Sequence, residues 1–289
     1  PLPAMDIKIL QTFSILLILM TSCQLGKQDE TNYRDMDYQE KWDFYFCQVD
    51  DKKGSIYLDF GYKDIAPIAD LTNAYWITLY MNNPRTDGLS SSDESERLFE
   101  IEDGLIAALS DKANFKYVGR LTNDSKRFLY LYVSDSILID KIVSEYMIRY
   151  QDYQFDVDSR VDKNWSIYLD FLYPSPKEYQ SLMNRRVIEQ LEDGGDNLTK
   201  TREVYHWIYF KTNRDRELFL DKISSDGFSI VDKRFDENWG DFPYSLQIKR
   251  ADRVDWNSVD DYVLYLWDLA RETNGDYDGW ETQIMTGDS

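Results

Sequence analysis

Between Arg202 and Met285 the hydrophobic period changes between two and about 3.6 residues, in the order strand, helix, strand, strand, helix, strand. This order is the feature that most limits the fold. A split βαβ arrangement built this way puts both helices on one side of a four-stranded antiparallel sheet. Along Arg202–Phe210, Val204, His206, Ile208 and Phe210 point one way and Tyr205, Trp207 and Tyr209 the other. Leu218, Phe219 and Ile223 stripe the first helix, which Gly227 stops. Val259, Tyr262, Val263, Leu266 and Ala270 stripe the second, which Asn257 or Ser258 caps and Gly275 ends. One sheet face is therefore covered, and the other is left to present aromatic side chains.

The same order occurs upstream, from Tyr75 to Val161. A strand at Tyr75–Met81 leads to a helix over Glu94–Ala108, with Leu98, Ile101, Leu105, Ala108 and Leu109 on one stripe and Ser92 or Asp93 as cap. Strands at Phe115–Thr122 and Arg127–Val133 flank a short turn, and Asp135–Tyr150 is a second helix turning Ile139, Ile142, Val143 and Tyr146 inward. Strands at Gln154–Val161 and Ser166–Phe171 complete the unit. A hairpin, Trp42–Val49 and Ser55–Tyr62, precedes it around Asp50–Gly54. The hexapeptide Ser55–Phe60 recurs as Ser166–Phe171, and both copies read as strands, although the residues after each copy differ and do not support a duplicated domain. The expected fold class is α+β: two tandem ferredoxin-like βαββαβ sandwich domains with antiparallel sheets, at 42–175 and 198–286. A helical linker at 176–197, bracketed by Pro174, Pro176, Gly194 and Gly195, joins them.

At the other end, Lys8 precedes a short apolar run, Ile9–Met20, that stops at Leu19, Met20, Thr21, Ser22, Cys23. The run is short against the ~20 apolar residues that a spanning helix needs, and it resembles a bacterial lipoprotein signal with Met5 as initiator. That resemblance implies a signal peptide over 1–22, lipidation of Cys23, and a polar tether over 23–41. Gln24 after the cysteine, in place of aspartate, favours the outer membrane of the cell envelope. With Cys23 lipidated, Cys47 has no partner for an intramolecular disulfide. The formal charge of −20 disfavours phosphate backbones and anionic headgroups, so no direct nucleic-acid ligand is expected, and membrane contact is expected through lipidated Cys23 alone.

Two further resemblances cover the body of the chain. The run Gly275, Asp276, Tyr277, Asp278, Gly279, Trp280, Glu281, Thr282, Gln283, with Arg202–Phe210, Gly227, Phe228, Pro243 and Tyr244, resembles the RraB family, regulators of ribonuclease E activity. The resemblance implies a ferredoxin-like domain that binds a protein and performs no chemistry. Ribonuclease E works in the cytoplasm, so a lipidated chain points to a different partner in the envelope. Trp42, the Arg85, Asp87, Gly88, Leu89 turn, Ile101–Asp103, Val118–Thr122 and Trp165 are similar to DUF family 695, which implies a fold and no activity.

Enzymatic readings find little support in the sequence. His206 is the sole histidine, and no serine or cysteine sits in a nucleophile motif, so no catalytic residue, metal site or cofactor is expected. Asn274, Asp276, Asp278 and Gly279 imitate a calcium loop, but Met285 stands where the bidentate carboxylate belongs. The expected partner surface is Tyr205, His206, Trp207, Tyr209, Tyr277, Asp278, Trp280 and Glu281, binding a protein of unspecified identity. Two alternatives are an immunity-type inhibitor of a basic toxin nuclease and an envelope hydrolase using His206.

Overall fold

A computed structural model describes Tyr38–Thr286. The expected signal, Cys23 and most of the tether lie outside the described residues. Two antiparallel sheets organise the body, six strands in the order β1-β2-β4-β5-β3-β6 and four in the order β10-β7-β9-β8. The element order is β1 Trp42–Val49, β2 Lys52–Asp59, β3 Asn73–Tyr80, α1 Ser92–Ser110, β4 Phe115–Asn123, β5 Lys126–Val133, α2 Ser136–Met147, β6 Phe155–Val161 and α3 Pro176–Asp193. It continues through β7 Arg202–Phe210, α4 Asn213–Lys222, β8 Ser229–Phe235, β9 Tyr244–Asp252, α5 Trp256–Glu272 and β10 Gly275–Thr282.

Both units have the ferredoxin-like strand order. In β3-α1-β4-β5-α2-β6 and in β7-α4-β8-β9-α5-β10, the first and third strands pair in the middle, flanked by the fourth and second. The β1–β2 hairpin extends the first sheet beyond β4. The helix caps fall one to three residues earlier than expected. Ser91 rather than Ser92 or Asp93 caps α1, and Asp255 rather than Asn257 or Ser258 caps α5, because each reaches a backbone N–H two or three residues on.

Three cores hold the described residues. One lies between the first sheet and α1 and α2, around Tyr75, Leu98, Ile101, Leu129 and Val143. A second fills the opposite face of that sheet, around Ile56, Leu58, Tyr132, Trp165 and Tyr168. The third joins the second sheet to α5 and to the C-terminal half of α3, through Ile188, Leu191, Ile208, Val263 and Leu266. Leu182 of α3 belongs to the second core, so this helix is shared by two cores.

One expected strand is absent. The second copy of the hexapeptide forms a π-helical turn, Ile167–Leu172, whereas the first forms the end of β2. The residues before the second copy decide this. Trp165 takes a left-handed backbone with φ of 56°. The Asp162 carboxylate then accepts from Ser166 N at 2.9 Å, Ser166 Oγ at 2.8 Å and Ile167 N at 2.8 Å, satisfying donors that a helical start leaves free. Tyr132 adds an O–H donor to the same carboxylate at 2.6 Å, and its ring stacks on Trp165 at 3.9 Å between centroids. Tyr168, buried in the turn, donates to the carbonyl of Asp59 at the end of the first copy.

Candidate functional site

The face of the second sheet turned away from the helices is built by register. Tyr205, Trp207 and Tyr209 of β7 stand opposite Lys249, Gln247 and Ser245 of β9, and opposite Glu281, Gly279 and Asp276 of β10. All three aromatics are half-buried, in contrast to Val204, His206, Ile208 and Phe210, which lie in the core. Trp239, from the loop between β8 and β9, meets Tyr209 edge-on at 5.8 Å and is itself exposed. Lys249 bonds Glu203 at 2.5 Å, Tyr205 O–H donates to the same carboxylate at 2.9 Å, and together they hold Glu203 below the usual carboxylate range. The result is an aromatic ledge with one basic and several acidic groups at its margins.

Three carboxyls beside the ledge are shifted the other way. Partial burial raises Asp276, Asp278 and Glu281 above their ordinary values; the neighbouring Asp276 charge adds to the effect at Asp278, and Arg271 opposes it at Asp276. Burial, and then the charge of Asp278, raises the Tyr209 hydroxyl. A cationic group docked beside these carboxyls would favour their charged form.

Of the eight residues expected to bind a partner, Tyr205, Trp207, Tyr209, Asp278 and Glu281 lie on accessible surface. His206, Tyr277 and Trp280 do not, and they are corrected to interior positions. His206 is interior because it alternates onto the Val204, Ile208 and Phe210 face of β7, whereas a β-bulge in β10 accounts for Tyr277 and Trp280. The register skips Asp278, so Tyr277 pairs with Ile208 and Trp280 with His206, and two residues three apart in sequence share the helix-covered face. Strict alternation would have put one of them outside.

His206 is sealed among Phe228, Tyr262 and Tyr277. Its Nδ1 lies 2.7 Å from the Tyr277 hydroxyl, while Nε2 has no hydrogen-bond partner. Burial, with the Arg250 charge nearby, pushes the imidazole down to about 3, so it is neutral at physiological pH and out of reach of a substrate. Trp280 has a structural partner that sequence reasoning missed. Its indole Nε1 donates to Asn184 Oδ1 at 3.0 Å, and Asn184 Nδ2 donates to Asp260 Oδ1 at 2.8 Å, tying β10, α3 and α5 together. Among the described residues, no group of three or more His, Cys, Asp or Glu side chains is placed to hold a metal ion. No helix among them is long and apolar enough to cross a membrane.

Comparison with known proteins gives the same division. The model of a family of unknown function, DUF695, matches residues 40–173, and that of regulator of ribonuclease activity B, RraB, matches residues 182–282. The RraB match starts inside α3, in keeping with the burial of Ile188 and Leu191 in the third core. No curated protein matches the chain. One solved structure that does, the crystal structure of an unknown protein from Galdieria sulphuraria, is 10% identical over 74% of this chain and 99% of that chain. Its TM-score of 0.19 supports no structural argument. The chain thus carries two family regions in tandem, a DUF695 region followed by an RraB region.

Proposed function

We propose that the protein is a non-enzymatic regulatory module whose RraB region binds another protein through the open face of its second sheet. The observation that carries this reading is the ledge of Tyr205, Trp207, Tyr209 and Trp239, left uncovered beside carboxyls at Asp276, Asp278 and Glu281 while the opposite face is packed. Tyr and Trp dominate the energetics of protein interfaces, and flanking charge sets orientation and on-rate. The acidic margin favours a partner with a basic patch around an apolar centre.

The signal-like N-terminus supports placing this module in the cell envelope, held by lipidated Cys23, with a partner other than ribonuclease E. Globomycin-sensitive processing abolished by Cys23→Ala is the expected result; an unprocessed cytoplasmic chain overturns the location but leaves the surface reading intact. For the surface, photo-crosslinking groups placed at Trp207 and at Tyr265 on α5 separate the two faces. Crosslinked partner is expected from Trp207, and loss of capture from a folded Trp207→Ala/Tyr209→Ala protein. Equal crosslinking from both positions, or undiminished capture by the double variant, refutes the proposal.

A further inference from the structure

The first domain carries a cleft that the RraB reading does not use. Its floor is one row of residues in register across four strands: Phe46 of β1, Ser55 of β2, Thr122 of β4 and Arg127 of β5. The adjacent row adds Tyr57 and Arg120. Helix α1 packs over β3 and β5, and the hairpin extends the sheet past it, so Ser95 and Phe99 of α1 form a wall above an uncovered floor. The open cleft has a volume of about 330 Å³, at the low end of the ~300–1,000 Å³ typical of small-molecule sites.

Two glycines make this geometry. A bulge at Val118/Gly119 turns both Tyr117 and Arg120 toward the α1 side, and a Cβ at Gly119 would come within 2.5 Å of the Tyr57 carbonyl. Gly88, at φ of 82°, lets the Arg85–Leu89 turn dock on the β4–β5 turn, where Gly88 O accepts from Ser125 N at 2.9 Å and Arg85 is held at the rim. Arg85, Leu89, Arg120 and Thr122, all among the residues that resemble DUF family 695, therefore line one cleft, with Glu102 bonded to Arg120 beneath it.

Its charge is unbalanced. Arg120 donates to Glu102 Oε1 at 2.7 Å, and Tyr117 O–H donates to the same oxygen at 2.8 Å. Arg127, 3% exposed, has only Thr122 Oγ1 at 3.3 Å on its Nε; its Nη1 lies 3.5 Å from Glu102 Oε2 without forming a hydrogen bond. Two guanidinium groups thus share one carboxylate, and Arg127 Nη1 and Glu102 Oε2, both buried, face each other as a loose ion pair without a hydrogen bond on either atom. Both groups are held against aromatic rings, Arg120 at 4.2 Å from the Tyr57 centroid and each at 4.8 Å from Phe99. Phe46, 65% exposed, and Phe99 leave flat apolar surface beside them. Although the chain's net charge is −20, charges beyond the ~8 Å Debye length are screened at physiological salt, so the local excess of arginine decides.

We propose that this cleft binds a small planar organic oxyanion, a carboxylate or phosphate ester on a flat apolar body, with Arg120 and Arg127 taking the oxyanion and Phe46 and Phe99 covering the body. Fork-shaped guanidinium donors match both oxyanions, and aromatic walls discriminate against bare ions. Isothermal titration of the full chain with benzoate, phenyl phosphate, inorganic phosphate and neutral benzamide tests it. Benzoate or phenyl phosphate is expected to bind at a single site, with benzamide and inorganic phosphate each about tenfold weaker, and Arg120→Lys about tenfold weaker for the preferred probe. Whichever of the two organic anions binds tighter identifies the headgroup. Phe46→Ala, at an exposed position that the fold does not need, is expected to weaken binding several-fold. Absence of binding by both organic anions, benzamide binding as well as benzoate, or unchanged affinity in Phe46→Ala overturns the proposal, the last even if Arg120→Lys fails to fold.

Discussion

Replacing Asn184 by leucine tests whether a buried polar network locks α3 to β10 and α5. Asn184 is 1% exposed and stands between Trp280 Nε1 and Asp260 Oδ1, with Gln180 Nε2 also donating to it at 3.2 Å. Leucine keeps most of the volume but unpairs the buried indole N–H and one oxygen of Asp260, whose other oxygen still accepts from Ser181 Oγ. Leaving a buried polar atom without a partner costs about 1–3 kcal/mol. Two such atoms, one of them near the helix surface, put Asn184→Leu at about 2–4 kcal/mol. Trp280→Phe removes the donor itself and leaves Asn184 bonded to Gln180, so its hydrogen-bond loss is smaller, about 1 kcal/mol plus the lost ring contacts. The two residues share one hydrogen bond, so the double variant is expected to be less destabilised than the sum by about 1 kcal/mol in urea unfolding. Additivity within about 0.5 kcal/mol, or a neutral Asn184→Leu, refutes the claim that this network joins the elements.

Other consequences are checked in the same way. Asp162→Ala removes the acceptor of four hydrogen bonds at the start of the π-helical turn and is expected to cost about 2–4 kcal/mol in urea unfolding. Burial pushes the Asp162 carboxyl up, but the bonds from Ile167, Tyr132 and Ser166 outweigh it and hold the group below its ordinary value. Its contribution is therefore present above about pH 4 and lost as pH falls through the lowered value. His206, lowered from 6.5 to about 3, works in the same sense over a higher window. The unfolded chain takes up this proton first, so stability is complete above pH 6.5 and falls by up to about 1.4 kcal/mol per pH unit below it. A His206→Gln protein that retains the whole acid slope between pH 6 and 4 would show that the imidazole titrates normally. Gly88→Ala, at φ of 82° with its new Cβ 3.2 Å from backbone atoms of Asp124, is expected to lose about 1–2 kcal/mol and to disturb the cleft rim.

Periodicity carried much of the fold. The stripes Val259, Tyr262, Val263, Leu266, Ala270 and Leu98, Ile101, Leu105, Leu109 are interior, because a helix exposing such a stripe loses far more apolar burial than local propensity can restore. The aromatic row Tyr205, Trp207, Tyr209 was legible for the same reason in period two. What escaped was non-local. The identical hexapeptides differ in outcome because β1 and β4 flank one copy, while Asp162, Tyr132 and Trp165 turn the other. Strand β4 and Tyr132 lie far from either copy in sequence, and a peptide segment carries no record of them.

The bulges explain the misplacement of Tyr277 and Trp280 and also indicate what to look for. In β10 the skipped residue is Asp278, followed by Gly279 at φ of 154°; in β4 it is Val118, followed by Gly119 at φ of 156°. Each event brings residues three apart onto one face: Tyr277 with Trp280 in the second domain, Tyr117 with Arg120 in the first. In the second domain this buries an aromatic pair and leaves the outer ledge to β7. In the first it aims a tyrosine and an arginine at the same carboxylate, Glu102, beneath the cleft. In these two strands the glycine after the bulge is thus the local signal that alternation is about to fail, since a side chain there meets an unfavourable backbone conformation; the shift in β8 between Ile230 and Asp232 carries no such glycine. Removing the extra residue, by deleting Asp278, is expected to return β10 to strict alternation and expel either Tyr277 or Trp280 from the third core. Exposing one large aromatic costs about 2–3 kcal/mol, and the Trp280–Asn184 hydrogen bond or the Tyr277–His206 contact is lost with it. A deletion protein as stable as the parent would mean that β10 does not depend on its bulge.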